Sequence, residues 1–197
     1  MGKPLFKSVL MALSMAVVLP SALLSAFGRN LVVYQFFAHL HALIPGLPGD
    51  YLRAAYYRWT LEGFGNDSRI QFGSYFAHPE ARVGRGVYIG VMNIFGRTTI
   101  GDECQIASAV QILSGNRQHR RREDGSLSGS EDGAFEMVSI GKGCWIGAGA
   151  IVMADIGENT TVGAGSVVTK ALPPNCTAVG SPARVVEPGS RGSQPSA

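Results

Sequence analysis

Residues 140–186 read IGKGCWIGAGAIVMADIGENTTVGAGSVVTKALPPNCTAVGSPARVV, and this stretch decides the fold. An aliphatic residue followed by glycine occurs at Ile140-Gly141, Ile146-Gly147, Ile156-Gly157 and Val162-Gly163. The steps from 140 to 146 and from 156 to 162 to 168 are six residues each. Six is neither a helical nor a heptad period. It is even, so the aliphatic side chains return to one face of a strand, and the glycine after each permits a corner. The fourth residue after the aliphatic is small or β-branched: Cys144, Ala150, Thr160 and Ser166.

Working upstream, the same pairs appear at Val83-Gly84, Ile89-Gly90 and Ile100-Gly101, with steps from 83 to 89 and from 100 to 106 to 112. The slot four residues on holds Val87, Cys104 and Val110, and departs from the rule only at Asn93. Cys104 and Cys144 therefore read as small interior residues rather than reactive thiols. A hexad repeat builds a mainly β protein, a parallel β-helix in which each coil buries what its neighbour would expose. Three hexads make one triangular turn, which gives roughly five coils. The register slips between 89 and 100 and between 146 and 156. Tightened corners are expected there, not a broken fold.

The ordered set Trp-Ile-Gly-Ala-Gly, Val-Gly-Ala-Gly-Ser-Val-Val-Thr-Lys, Pro-Pro and Gly-Ser-Pro-Ala-Arg is specific. With it the chain resembles the hexapeptide-repeat acyltransferases, the left-handed β-helix family, in their sugar and xenobiotic O-acetyltransferase branch. The likeness runs from Arg69 to Val186. It implies a left-handed coil, which breaks the usual right-handed crossover rule. It also implies a homotrimer with sites in the clefts between prisms, and acetyl-CoA as co-substrate with no metal. By the same resemblance, Trp145, Gly147 and Ala148 line the pantetheine channel, and Ala164 and Gly165 offer backbone to the arm. Thr169 and Lys170 lie near the adenosine end, and Arg184 is a further phosphate partner. The glycines and alanines also suit the coil by themselves; Lys170 and Arg184 discriminate better, because a buried prism does not require cations.

One long excursion interrupts the repeat: Ser114 to Met137, SGNRQHRRREDGSLSGSEDGAFEM, 24 residues. A loop of that length in a compact repeat is usually functional or disordered. The family carries its catalytic histidine on such a loop, and His119 is the only histidine in this one. A sugar hydroxyl is a poor nucleophile at neutral pH. An imidazole with a pKa near ~6.5 accepts its proton as the C–O bond forms and returns it to the departing thiolate. A backbone N–H at a coil corner would steady the oxyanion. Relatives place histidine directly after the Ser-Gly or Thr-Gly pair, where this chain has Asn116 and Arg117. His78, in FAHPEARVG, is the alternative base; otherwise it is a corner residue before Pro79. The four arginines Arg117, Arg120, Arg121 and Arg122 face five acids in the loop. They read either as a self-neutralising surface or as a partner for a CoA phosphate or anionic acceptor. Glu123 or Asp124 could orient the His119 ring.

The front of the chain is different. Of the 197 residues, 46% are hydrophobic and only 16% are charged, and the apolar excess is concentrated here. Ser8 to Gly28 carries no formal charge, and the first fifty residues hold only Lys3, Lys7, Arg29 and Asp50. That stretch reaches the ~20 residues that span hydrocarbon, although Pro20 would kink it. Three readings stand: a cleaved signal peptide with Ser25-Ala26 at the cleavage site, a membrane anchor, or a helical pair buried on its own protein. Residues 51–67, opening on YLRAAYYRWTLE, read as an amphipathic connecting helix whose aromatic and arginine side chains favour an interface. The division is therefore a hydrophobic membrane-associated helical region over 1–50, the connecting helix, a left-handed β-helix over 68–186 and a disordered tail over 187–197.

The net charge of +3 is too small to argue for nucleic acid, and no binding signature for it appears. Three cysteines (Cys104, Cys144, Cys176) make neither a disulfide framework nor a zinc site. A zinc carbonic anhydrase on the same fold needs three histidines, and the repeat region holds His78 and His119 alone. The reading is an acetyl-CoA-dependent O-acetyltransferase acting on a sugar or lipid-linked glycan at the cytoplasmic face of the inner membrane, in polysaccharide biosynthesis. The alternatives are a non-catalytic trimeric scaffold and an acyltransferase for a longer donor.

Overall fold

The computed structural model describes residues 2–116, 124–127 and 135–186, with side chains from Leu5 onward. Three helices precede the repeat: α1 (Gly2–Leu24), α2 (Leu31–Ala42) and α3 (Gly46–Thr60). Asn30 starts α2 by accepting the Val33 N–H at 3.3 Å, the usual service of an asparagine N-cap. The helix carrying the YLRAAYYRWTLE motif begins at Gly46, and the coil begins at Gly63.

Each coil contributes one short strand to each of three parallel sheets. The first coil is β1 (Gly63–Phe64), β2 (Arg69–Ile70) and β3 (Tyr75–Phe76); the second is β4 (Arg82–Val83), β5 (Tyr88–Ile89) and β6 (Ile94–Phe95). The third is β7 (Thr98–Ile100), β8 (Gln105–Ile106) and β9 (Gln111–Ile112). After the excursion come β10 (Val138–Ile140), β11 (Trp145–Ile146) and β12 (Ile151–Val152), then β13 (Thr161–Val162) and β14 (Val167–Val168). The end is β15 (Thr177–Val179), on which β16 (Arg184–Val186) folds back antiparallel. The hexad aliphatics stack as inward columns: Ile70, Ile89, Ile106, Ile146, Val162 and Ala178 on one wall, all buried. Each large one contributes about 1.5–3 kcal/mol by leaving water. This is the parallel coil of about five turns that the spacing predicts.

The small slot is the inner side of a corner. Ser68 Oγ donates to Gly84 O at 2.7 Å, Cys104 Sγ to Gly141 O at 3.0 Å, Cys144 Sγ to Gly157 O at 3.0 Å and Thr160 Oγ1 to Pro173 O at 2.8 Å. The two cysteines are thus interior corner residues that bond the next coil. Asn93, the exception by size, is fully buried and satisfied: its Nδ2 donates to Gly90 O at 2.8 Å and its Oδ1 accepts the Val110 N–H at 2.7 Å.

The register slips do produce tightened corners, and they fall at one edge of the prism. Only Gly96 and Arg97 separate β6 from β7. At the same edge in later coils, Ile156 and Leu172 keep the inward column through single bridges rather than full strands. The excursion after Ser114 leaves from this edge too, between β9 and β10.

The three helices close the open end of the coil. Tyr34 Oη donates to Phe76 O at 2.9 Å, Phe76 N–H donates to Tyr57 Oη at 3.2 Å, and Tyr56 Oη donates to Tyr34 O at 3.0 Å. The Tyr57 ring meets Phe76 edge-on at 5.1 Å, and Phe76 stacks on Phe95 at 4.6 Å, so the aromatic seal continues into the prism. Arg53, with no exposed surface, donates to Ile70 O at 3.1 Å, His41 O at 3.0 Å, Ile44 O at 2.7 Å and the Asp50 carboxylate at 2.7 Å. Asp50 also holds Arg69 at 2.7 Å. α1 lies on α3, with Val18 and Ala22 buried and the Trp59 indole N–H reaching Met15 O at 3.3 Å.

Two predictions follow from this packing. Arg53→Met takes a donor from the carbonyls of Ile70, His41, Ala42 and Ile44 and breaks one of the two ion pairs of Asp50, so urea unfolding should show a loss of about 3–5 kcal/mol; a loss under about 1 kcal/mol would show that the seal does not depend on it. The glycines at neighbouring corners should separate by cause. A Cβ at Gly147 would sit 2.5 Å from Ala164 N, a backbone atom that cannot yield. A Cβ at Gly165 meets nothing within 4 Å but needs a φ of +67°. Gly147→Ala should therefore cost about 3 kcal/mol and Gly165→Ala only about 1 kcal/mol in the same assay, and equal costs would refute the close-approach account.

Candidate active site

The tightened edge gathers the chemistry. Where the chain leaves the third coil, Ser114 Oγ accepts the Arg97 N–H at 2.8 Å and Ser114 O accepts the Glu136 N–H at 3.1 Å, so the two feet of the excursion are tied together. Thr98 Oγ1 donates to Val138 O at 2.8 Å and fixes the return strand. The Arg97 guanidinium spans from Glu80, at 3.2 Å, to the face of Phe135, 5.6 Å from its ring centre. The His78 ring leans on the other side of this cluster, 5.6 Å from Phe135.

The electrostatics at this edge are specific. His78 is half-buried, and loss of solvent lowers its pKa; Glu80 opposes that shift and Arg97 adds to it. Its imidazole is therefore neutral near pH 7, the state in which it accepts a proton. Glu80 Oε2 and Arg97 Nε are both buried and have no hydrogen-bond partner among the described residues. A buried acceptor and donor left open at the root of a loop would suit a polar ligand.

The residues named from sequence fall on three parts of the prism. Gly147, Ala148, Ala164 and Gly165 come together as two stacked corners, where Gly165 N–H donates to Ala148 O at 2.8 Å. Trp145 stands outward on β11 between Gln105 and Thr161 and is 57% exposed. Arg184 is exposed on β16, in the same sheet. Thr169 and Lys170 follow β14 at the tightened edge, and Thr169 O accepts from Asn116 Nδ2 at 3.4 Å. The foot of the excursion thus touches the stretch assigned to the donor. His119 lies outside the described residues, as do Arg117, Arg120, Arg121, Arg122 and Glu123 and the tail over 187–197. Asp124 is exposed and turned to its own loop, where its carboxylate accepts Ser126 N–H and Oγ–H, and these bonds hold its pKa low.

Glu80, Arg97, Ser114 and Phe135 are absent from the sequence-derived set. Their one signal was the short step from 89 to 100, which marked the edge but not which side chains would meet there.

A family profile described as the hexapeptide repeat of succinyl-transferase matches residues 137–170. The serine acetyltransferase of Salmonella typhimurium is 35% identical over 122 residues, 57% of this chain and 38% of that one. The chain spans less than two fifths of the length of the first curated relatives it matches. Among solved structures, a maltose O-acetyltransferase from Clostridium difficile 630 superposes with a TM-score of 0.68 at 27% identity, covering 82% of this chain and 87% of that one. A hexapeptide-repeat acetyltransferase of Vibrio cholerae, solved with acetyl-coenzyme A, superposes with a TM-score of 0.66 at 20% identity, over 81% and 87% of the two chains. In its repeat this chain matches a hexapeptide-repeat profile, and in its parallel β-helix it is similar to solved hexapeptide-repeat acetyltransferases.

Proposed function

We propose that the protein is an acetyl-CoA-dependent O-acetyltransferase that modifies a hydroxyl of a sugar or membrane-linked glycan. One observation carries the reading: the excursion leaves the prism at the tightened edge, and its foot bonds Thr169 in the donor stretch. The likeness to a maltose O-acetyltransferase and to a structure holding acetyl-coenzyme A supports the substrate class and the donor. Transfer is direct. The His119 imidazole takes the acceptor proton as its oxygen attacks the thioester carbonyl. A tetrahedral oxyanion forms against a corner N–H, the C–S bond breaks and the CoA thiolate leaves with the proton. A second reading gives the base to His78, favoured by its neutral ring beside the loop root. As in the family it resembles, the protein would work as a homotrimer.

The helices support a membrane-bound enzyme. α1 turns Leu5, Val9, Leu13, Val17 and Leu24 outward, and α2 turns Val32, Phe36 and Leu40 outward, all more than 40% exposed. Leu5–Leu24 is long and apolar enough to cross a membrane, but α1 is also packed along α3 on one side. The helices would therefore lie in the interface plane, as monotopic amphipathic helices do. Cytosolic acetyl-CoA would put the domain at the cytoplasmic face, with a lipid-linked acceptor held at the same surface.

Free CoA thiol should appear when the full chain in detergent meets acetyl-CoA and a panel of sugars and lipid-linked glycans. His119→Ala should reduce the rate at least about a hundredfold, with His78→Ala close to wild type. The reverse pattern would move the base to His78, and no turnover together with no acetyl-CoA binding would leave a scaffold. For the membrane, a Leu13→Asn, Val17→Asn, Phe36→Asn triple variant should lower vesicle-bound protein at least about tenfold with its unfolding midpoint unchanged. Unchanged partition, or a variant that changes oligomeric state instead, would make these faces an interface between copies.

A further inference from the structure

A cavity of about 640 Å³ lies between α1, α3 and the first coil, bordered by Lys7, Met11, Asp50, Arg58, Asn66 and Arg69 among others. That volume is within the roughly 300–1,000 Å³ of small-molecule sites. Its charges are unevenly committed. Asp50 is occupied twice over, by Arg53 and by Arg69, each at 2.7 Å. Asp67 is exposed at the rim. Among the described residues Arg58 has no such partner, and its Nε is buried without a hydrogen-bond acceptor. A buried guanidinium N–H left open costs free energy that a phosphate oxygen would relieve by a charge-assisted bond.

A second recess adjoins it. Leu10, Leu13, Val17, Pro48 and Leu52 line an apolar groove of about 320 Å³, and Leu47 borders both spaces. The groove thus runs from the cationic cavity to Leu13 and Val17, which belong to the outward apolar stripe of α1. A polar, positively charged pocket joined to an apolar channel on a membrane-facing helix has the shape of an amphiphile.

We propose that this is a binding site for a phosphate-bearing membrane amphiphile, its head on Arg58 and Lys7 and its chain along the groove past Leu47. The proposal rests on the membrane-facing reading of α1, but not on the acetyl-transfer reading, because none of its residues borders the tightened edge.

The test uses the full chain and short-chain lipids below their micelle concentrations. Dihexanoyl phosphatidic acid should bind saturably and raise the melting temperature by several degrees. Inorganic phosphate and dihexanoyl phosphatidylcholine at the same concentration should not. Arg58→Gln should weaken phosphatidic acid binding at least tenfold, and Lys7→Gln, on the exposed start of α1, gives a second variant that does not disturb packing. Both should release CoA with a soluble acceptor at the wild-type rate, which separates this site from the transfer site. An equal shift with inorganic phosphate would show an anion site without an apolar arm. An equal shift with phosphatidylcholine, or binding untouched by both variants, would show adsorption to the helices; any of the three overturns the proposal.

Discussion

A β-helix has an open end, and everything N-terminal in this protein answers to that constraint. The first coil presents the Ile70 carbonyl and the core side chains of Ile70 and Phe76 to whatever lies beyond it. Water there would dissolve the advantage of the stacked columns, so a terminal repeat needs a cap. Arg53 meets the need with one side chain: its guanidinium reaches a carbonyl of the first coil, those of His41 and Ala42 at the end of α2, that of Ile44 just beyond it, and its own helix's Asp50. Burying that charge is tolerable only because nearly every donor finds an acceptor. The position of α1 over α3, and hence of the cavity beneath it, follows from this anchoring.

The opposite consequence appears at the tightened edge. Where the step between inward residues falls to four, in the last coils, strand pairing gives way to single bridges at Ile156 and Leu172. An insertion between two coils at this edge costs little, because loop closure grows only slowly with length. That is where the excursion departs. The feet are secured by Ser114 and Thr98, and Arg97, Glu80, Phe135 and His78 are placed around them.

The apolar front end is neither wholly core nor wholly surface. Tyr34 and Ala38 of α2 and Val18 and Ala22 of α1 are buried in the cap, so these helices are part of the folded domain rather than a detachable appendage. Their other sides remain apolar and exposed over several turns, with Lys7 and Arg29 as the charges near them. A helix that buries one side in protein and offers the other as hydrocarbon suits an interface better than either medium alone.

The sequence by itself determined the coil, since a six-residue period of aliphatics can be satisfied only by three short strands per turn with small residues inside the corners. It also determined which cysteines lie inside the corners, about how many coils there are and where the repeat would tighten. Those properties are local, set by the alternation of strand faces and by the room at a corner. Only the tertiary structure decided that His78, Glu80, Arg97 and Phe135 meet, because they come from two successive corners of the prism and the far foot of the excursion, and no period in the chain encodes which side chains share an edge. It likewise decided that Arg53 is a buried clasp and Arg58 is not. Both sit on α3 with the same charge, and what separates them is the geometry of the coil and helices around each guanidinium.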